Sequence, residues 1–175
     1  MTISFTQFAA AAVVSYLGLL AGFFLASLTK EELPTARRYF PWLQRLVILA
    51  IAAVAFDFFG FSLALKAVSY ALALLIILIL KINLTMLYAA FGVALFAVSS
   101  SGNTLMVISS LVFILGIISG SDYFAKEVRK LKKVKTETAA AKDLLVKNSA
   151  YVAVALTLFV LFAQIGLVRL VLQLK

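Results

Sequence analysis

The chain has 175 residues, 65% of them hydrophobic and 13% charged, with a mean hydropathy of +1.13; too few polar side chains are available to coat a soluble domain. Sixteen Lys and Arg against seven Asp and Glu give a net charge of +9, which points to positive-inside loops and anionic lipid headgroups before nucleic acid. The absence of Cys and His excludes disulfides, thiolate nucleophiles, zinc-thiolate and imidazole metal sites, histidine-ligated haem and histidine general bases together.

A transmembrane helix needs roughly 20 apolar residues. Six such spans leave no room for a separate soluble domain. The expected fold is all-α: a polytopic membrane protein, one integral domain over residues 1–175, with six transmembrane helices in a bundle. The N-terminal stretch carries no charge before Lys30, so it lacks the basic region of a secretory signal and reads as a first span with its N-terminus outside.

Span 1 covers about residues 5–28. Ala11, Ser15, Gly18, Gly22 and Ala26 recur at helical spacing, and Gly18 and Gly22 form a GxxxG pair. Small residues let two helix backbones approach closely, either as a seam within one subunit or as a homo-oligomer interface. The following loop, TKEELPTARRYFP, opens with Thr29 and Glu32 at capping-box spacing, so an interfacial helical turn is expected there with Pro34 inside or ending it. Arg37 and Arg38 form a basic cluster. Tyr39, Phe40 and Trp42 read as an aromatic belt, and Pro41 suits the first turn of the next helix. The segment TKEELPTARRYFPWLQ, closing a first span, resembles the juxtamembrane segment of small polytopic membrane proteins from archaea. The resemblance covers about a tenth of the chain and implies a membrane setting without assigning a role to any residue.

Span 2 covers about 42–59, with Arg45 able to snorkel to the headgroups. Asp57 lies about 22 Å up this helix, in the outer third of the bilayer. Gly60, Phe61 and Ser62 make a turn into span 3, about 62–80, with Lys66 at its outer end. Lys81, Ile82 and Asn83 form the next turn. Span 4 covers about 84–98, Ser99–Asn103 is a turn, and span 5 covers about 104–120 with a second GxxxG at Gly116 and Gly120. The turn at Lys81 follows from length and parity. One helix over 62–98 is about 55 Å long, too long for a ~30 Å core, and two cytoplasmic basic clusters need an even number of crossings between them.

Residues 122–148 are the long polar segment. Lys126, Arg129, Lys130, Lys132, Lys133, Lys135, Lys142 and Lys147 face Asp122, Glu127, Glu137 and Asp143, and such a segment stays cytoplasmic. It has no Gly or Pro, and Phe124, Val128, Leu131 and Val134 form an amphipathic stripe. Span 5 is therefore expected to continue as helix, turn near Lys135–Thr138, and return as a second helix into span 6, about 149–172. Tyr151 is placed at the inner interface, Arg169 and Lys175 at the outer end, and both termini outside.

The polar groups read at membrane depth are Asp57, Lys66, Asn83, Asn103, Gln164 and Arg169. Near the outer face Asp57, Lys66 and Arg169 either pair or snorkel. The sharper alternative makes Asp57 a cation or proton site, with Gln164 lining the same cavity. No catalytic motif occurs, and seven acids, four of them in the basic segment, are too few for a buried metal cluster. No enzyme, cofactor or metal is expected. The leading functional expectation is an assembly, scaffold or docking component of a prokaryotic cell membrane. Arg37, Arg38, Lys126, Arg129, Lys130, Lys132, Lys133 and Lys135 are its contacts to anionic lipid headgroups or a protein partner. The alternatives are a small oligomeric transporter or channel using Asp57 and Gln164, and a membrane anchor for nucleic acid or the ribosome. The last is disfavoured because Tyr123–Phe124 is the only aromatic pair in the basic segment.

Overall fold

The structure, a computed structural model, describes residues 4–29, 31–60, 62–79, 84–130, 137–149 and 151–161. Regular structure among them is entirely helical: α1 (Phe5–Leu28), α2 (Leu33–Ala36), α3 (Phe40–Phe58), α4 (Leu63–Ile79), α5 (Leu84–Ala97), α6 (Gly102–Lys130), α7 (Glu137–Asn148) and α8 (151–161). Among the described residues, four stretches are long and apolar enough to cross a membrane: Phe5–Leu28, Phe40–Phe58, Gly102–Lys126 and Ala141–Leu161. The chain is thus a helical protein with the makings of a membrane bundle. The proposed turns at Lys81–Asn83 and near Lys135 fall outside the described residues, as does the end of span 6.

Local sequence explains where the helices start and stop. Ser4 and Gln7 form a capping box: the Gln7 N–H donates to Ser4 Oγ at 3.3 Å, and the Ser4 N–H donates to Gln7 Oε1 at 3.2 Å. The capping role expected of Thr29 is corrected. Its hydroxyl donates back to the Leu25 carbonyl at 3.0 Å, so Thr29 closes α1, and α2 starts at Leu33 with Pro34 in its first turn and no side-chain cap. A carbonyl one turn back is already at hand at a helix end, and it wins the hydroxyl. Pro41 sits in the first turn of α3, where its missing N–H costs no bond. Gly60, at φ +64°, supplies the left-handed residue between α3 and α4. These two helices run antiparallel, with Tyr70 against Phe56 at 5.6 Å and the Tyr70 hydroxyl 3.5 Å from the Ala53 carbonyl.

The centre of the bundle is the joint between α1 and α6. Both GxxxG pairs lie in it. Gly18 and Gly22 of α1 face the backbone of Phe113 and Ile117, while Gly116 and Gly120 of α6 face Gly18–Leu19 and Leu19–Phe23. A Cβ on Gly116 would stand 2.8 Å from the Gly18 backbone. Residue numbers rise together along the contact, so the two helices are parallel. Packing of this kind replaces side-chain burial with direct van der Waals contact between backbones, which lipid cannot supply equally well. Ser121 Oγ adds a 2.9 Å hydrogen bond to the Gly22 carbonyl across the joint. Around it, buried residues recur every three or four positions: Phe8, Ala12, Ser15 and Leu19 on α1, Tyr88, Phe91 and Leu95 on α5, and Leu105, Ile108, Val112 and Leu115 on α6. The opposite faces expose Leu28, Leu46, Leu63, Met86 and Met106, as helices do when their outer solvent is hydrocarbon.

Candidate functional site

The parallel joint fixes the position of the basic residues. Phe23 of α1 meets Phe124 of α6 edge-on at 5.0 Å. Beyond that contact α1 runs on to Leu28 and α6 to Lys130. The Arg37–Arg38 loop after α1 and the basic end of α6 therefore leave the bundle from the same end. There Arg38 lies 4.7 Å over the Tyr39 ring and also bonds its hydroxyl, and Arg45 lies 5.5 Å over Trp42. Each guanidinium thus lies on an exposed aromatic ring.

The polar segment begins inside the bundle rather than beyond it. Asp122, 7% exposed, pairs with Lys126 one turn on, and Phe124 and Ala125 are buried. Tyr123 donates to Asp143 Oδ2 at 2.8 Å, and Lys147 reaches the same oxygen at 2.7 Å. Asp143 thus ties α7 to the root of α6. Arg129 and Lys130 occupy the last turn of α6; Lys132, Lys133 and Lys135 lie outside the described residues.

At the other end of the bundle Asp57 and Lys66 form an ion pair across the α3–α4 turn, with the Asp57 side chain 67% exposed. Gln164 and Arg169, read as their neighbours, lie outside the described residues. An exposed pair of this kind contributes less than about 1 kcal/mol. Asp57→Asn is accordingly expected to leave reversible unfolding in detergent unchanged within that margin. A larger loss would reveal a buried role for the carboxylate.

A second polar set, absent from the sequence-based candidates, sits in the core where α1, α5, α6 and α8 meet. Ser15 Oγ is 2.6 Å from the Tyr151 hydroxyl and 2.7 Å from the Ala11 carbonyl. The single serine proton goes to the carbonyl, so Tyr151 donates to Ser15. Tyr16 donates to the Leu145 carbonyl, and its ring stacks on Tyr151 at 6.0 Å. Tyr88 stands edge-on to Tyr151 at 5.9 Å. Gln44 Nε2 donates to Ser119 Oγ at 3.4 Å. Asn148 donates to the Leu144 carbonyl at 2.8 Å. The chain matches no family model, no curated protein and no solved structure. This set and the basic end are therefore read from their own chemistry alone.

Tyr151, expected at the inner interface, is fully buried within the bundle, with a hydroxyl partner on α1 and two facing rings. Beyond the set, Phe8 and Phe159 stack at 4.5 Å and Phe5 joins them at 5.7 Å, an apolar plug on the side away from the basic clusters. The signal that could have found the set is the use of Tyr where Phe would fill the same space. In a chain with 15 Phe and 6 Tyr, a mid-helix tyrosine needs a partner for its hydroxyl.

Proposed function

We propose that the protein is a docking component of the membrane, without catalytic activity, whose basic end engages an acidic surface. All six apolar helices cross the bilayer, the basic end faces the cytoplasm, and both termini lie outside. The observation that carries this reading is the exit of both basic clusters from one end of a parallel α1–α6 pair. Positive-inside bias then orients that end to the cytoplasm. The anchoring of α7 through Asp143 supports a firm platform rather than a loose loop. The acidic surface is the headgroup layer of an anionic membrane or an acidic protein partner.

The test uses the protein in neutral nanodiscs, binding vesicles with and without anionic lipid at low salt. Each lysine near such a surface contributes about 1 kcal/mol. Replacing Lys130, Lys132 and Lys133 by Gln is expected to weaken binding about fivefold per residue, and added salt should have the same direction of effect. Binding that survives the triple replacement unchanged would remove the proposal. In the second reading, a small transporter, Asp57 and Gln164 line a path. It requires a proteoliposome flux that Asp57→Asn abolishes, and the exposed pairing of Asp57 with Lys66 gives it less support.

A further inference from the structure

The first turns of α3 present a face that the described helices leave uncovered. Tyr39 has α-helical backbone angles, and its carbonyl accepts from the Leu43 N–H at 3.0 Å, so the helical register runs unbroken from Tyr39 into α3. Tyr39, Trp42, Leu43 and Leu46 then stand at i, i+3, i+4 and i+7, one face of the helix. All four are exposed, Trp42 and Leu46 by 63% each. Gln44, two residues from either, points the other way and donates to Ser119 of α6, so the bundle lies behind this face. We propose that this face, with Arg38 and Arg45 lying on its two rings, binds one phospholipid with an anionic headgroup from the leaflet around the basic end.

Direct contacts place the two charges. The Arg38 guanidinium lies 4.7 Å from the centre of the Tyr39 ring and donates to its hydroxyl, and the Arg45 guanidinium lies 5.5 Å from the centre of Trp42. The rings are one turn apart on one face, so both guanidiniums sit at the start of the same stripe. Among the described residues no carboxylate pairs with either; Glu31 and Glu32, earlier in the same loop, are exposed. A guanidinium offers five N–H donors in a planar fork that matches phosphate oxygens, and Arg38 uses its bond to Tyr39 without filling that fork. The Tyr39 hydroxyl accepts from Arg38 and keeps its own proton for a further oxygen. The rings also hold both side chains before a ligand arrives, which reduces the rotamer freedom lost on binding.

Polarity along the stripe selects an amphiphile. The donors are confined to residues 38–45, and every residue of α3 from Leu46 to Phe56 is apolar. A headgroup phosphate at the rings therefore places its own hydrocarbon beside Leu43 and Leu46, where an acidic peptide from water would meet acyl chains. A zwitterionic headgroup brings a cationic amine to two guanidiniums that have no carboxylate, and like charges repel. An anionic headgroup brings only the charge that the site lacks. The proposal rests on the reading of the chain as a membrane bundle with its basic end among the headgroups, and not on the docking role. Docking through Lys130, Lys132 and Lys133 concerns a second membrane and the end of α6, so either can fail without the other.

Trp42 is the only tryptophan of the chain, so its fluorescence reports on this face alone. The test places the full chain in nanodiscs of phosphatidylglycerol and phosphatidylcholine in fixed proportion, with bromine, a contact quencher, on the acyl chains of one lipid or the other. Random contact makes quenching follow mole fraction. With a site, brominated phosphatidylglycerol is expected to quench beyond its share. Arg45→Gln should lower that preference about fivefold. Lys142→Gln, which removes the same charge from an exposed position on α7, should leave it unchanged. Quenching that follows mole fraction in the unaltered protein would mean surrounding lipid only and would overturn the site. Equal losses in the two variants would overturn it too, by assigning the preference to net charge. So would suppression by inorganic phosphate but not by chloride at equal ionic strength, since the occupant would then be a free anion. A second measurement serves if Arg45→Gln fails to fold: native mass spectrometry of the unaltered protein from mild detergent should retain one phosphatidylglycerol in preference to phosphatidylcholine, and equal retention would remove the proposal.

Discussion

Gly22→Ala is expected to part α1 from α6 and to cost at least about 3 kcal/mol in reversible unfolding in mixed micelles. The reason is what the new methyl would meet. It points at the carbonyl and Cα of Ile117, which are backbone and cannot rotate away, and the same holds for Gly18 against Phe113. Relief requires moving a whole helix, which strips Gly116 and Gly120 of their own contacts and lengthens the Ser121 bond to the Gly22 carbonyl. Gly102→Ala provides the control. Nothing lies within 4 Å of a Cβ there, so its effect should stay within about 0.5 kcal/mol. Equal effects at the two glycines would mean that the joint is not where the helices hold together.

Tyr151→Ala is expected to cost about 3 kcal/mol, and Tyr151→Phe about 1 kcal/mol. In a bilayer the transfer of a ring from lipid to protein gains little, so the larger figure must come from the cavity and from lost dispersion contacts. Tyr151 is where such a loss is concentrated. Its ring touches those of Tyr16 and Tyr88, its backbone receives Gly92, and its hydroxyl reaches Ser15 across 136 residues of sequence. The Phe variant removes only the hydrogen bond and leaves Ser15 its bond to the Ala11 carbonyl. Two variants with the same unfolding midpoint would assign the whole effect to the hydroxyl and none to packing.

Which parts of this architecture could be read from the chain depends on the range of the forces involved. Helix positions rest on local signals. Apolar runs bounded by Pro41, by Gly60 and by the turn expected at Ser99–Asn103 lead to α3, α4, α5 and the start of α6 within about two residues of the expected limits. The uninterrupted run from Gly102 to Lys130 follows from a segment without Gly or Pro after Gly120. The pairing of Asp57 with Lys66 was open to view because opposite charges flank a short turn. Partner choice is another matter. The two GxxxG pairs announce close approach, but nothing local says that they meet each other rather than a second subunit. The core polar set was hidden for the same reason. Tyr16, Tyr88 and Tyr151 count as aromatic filler until a hydroxyl partner from a distant helix is known. Thr29 shows the reverse error, where a good local motif lost to a nearer carbonyl.

The parallel α1–α6 joint also sets an order of events during synthesis. About 95 residues separate Gly22 from Ile117 on α6, and at about 5–20 residues per second the ribosome needs roughly 5–20 s to make them. With α1 inserted in a bilayer, its glycine face would be bare for that interval. The α3–α4 hairpin, joined at Gly60, can pair its own two helices as soon as it emerges, while α3 too waits for α6. Both α1 and α3 thus complete their packing only when α6 arrives. A membrane insertase that shelters a small-residue face would act on α1 during those seconds, before any other helix can relieve it.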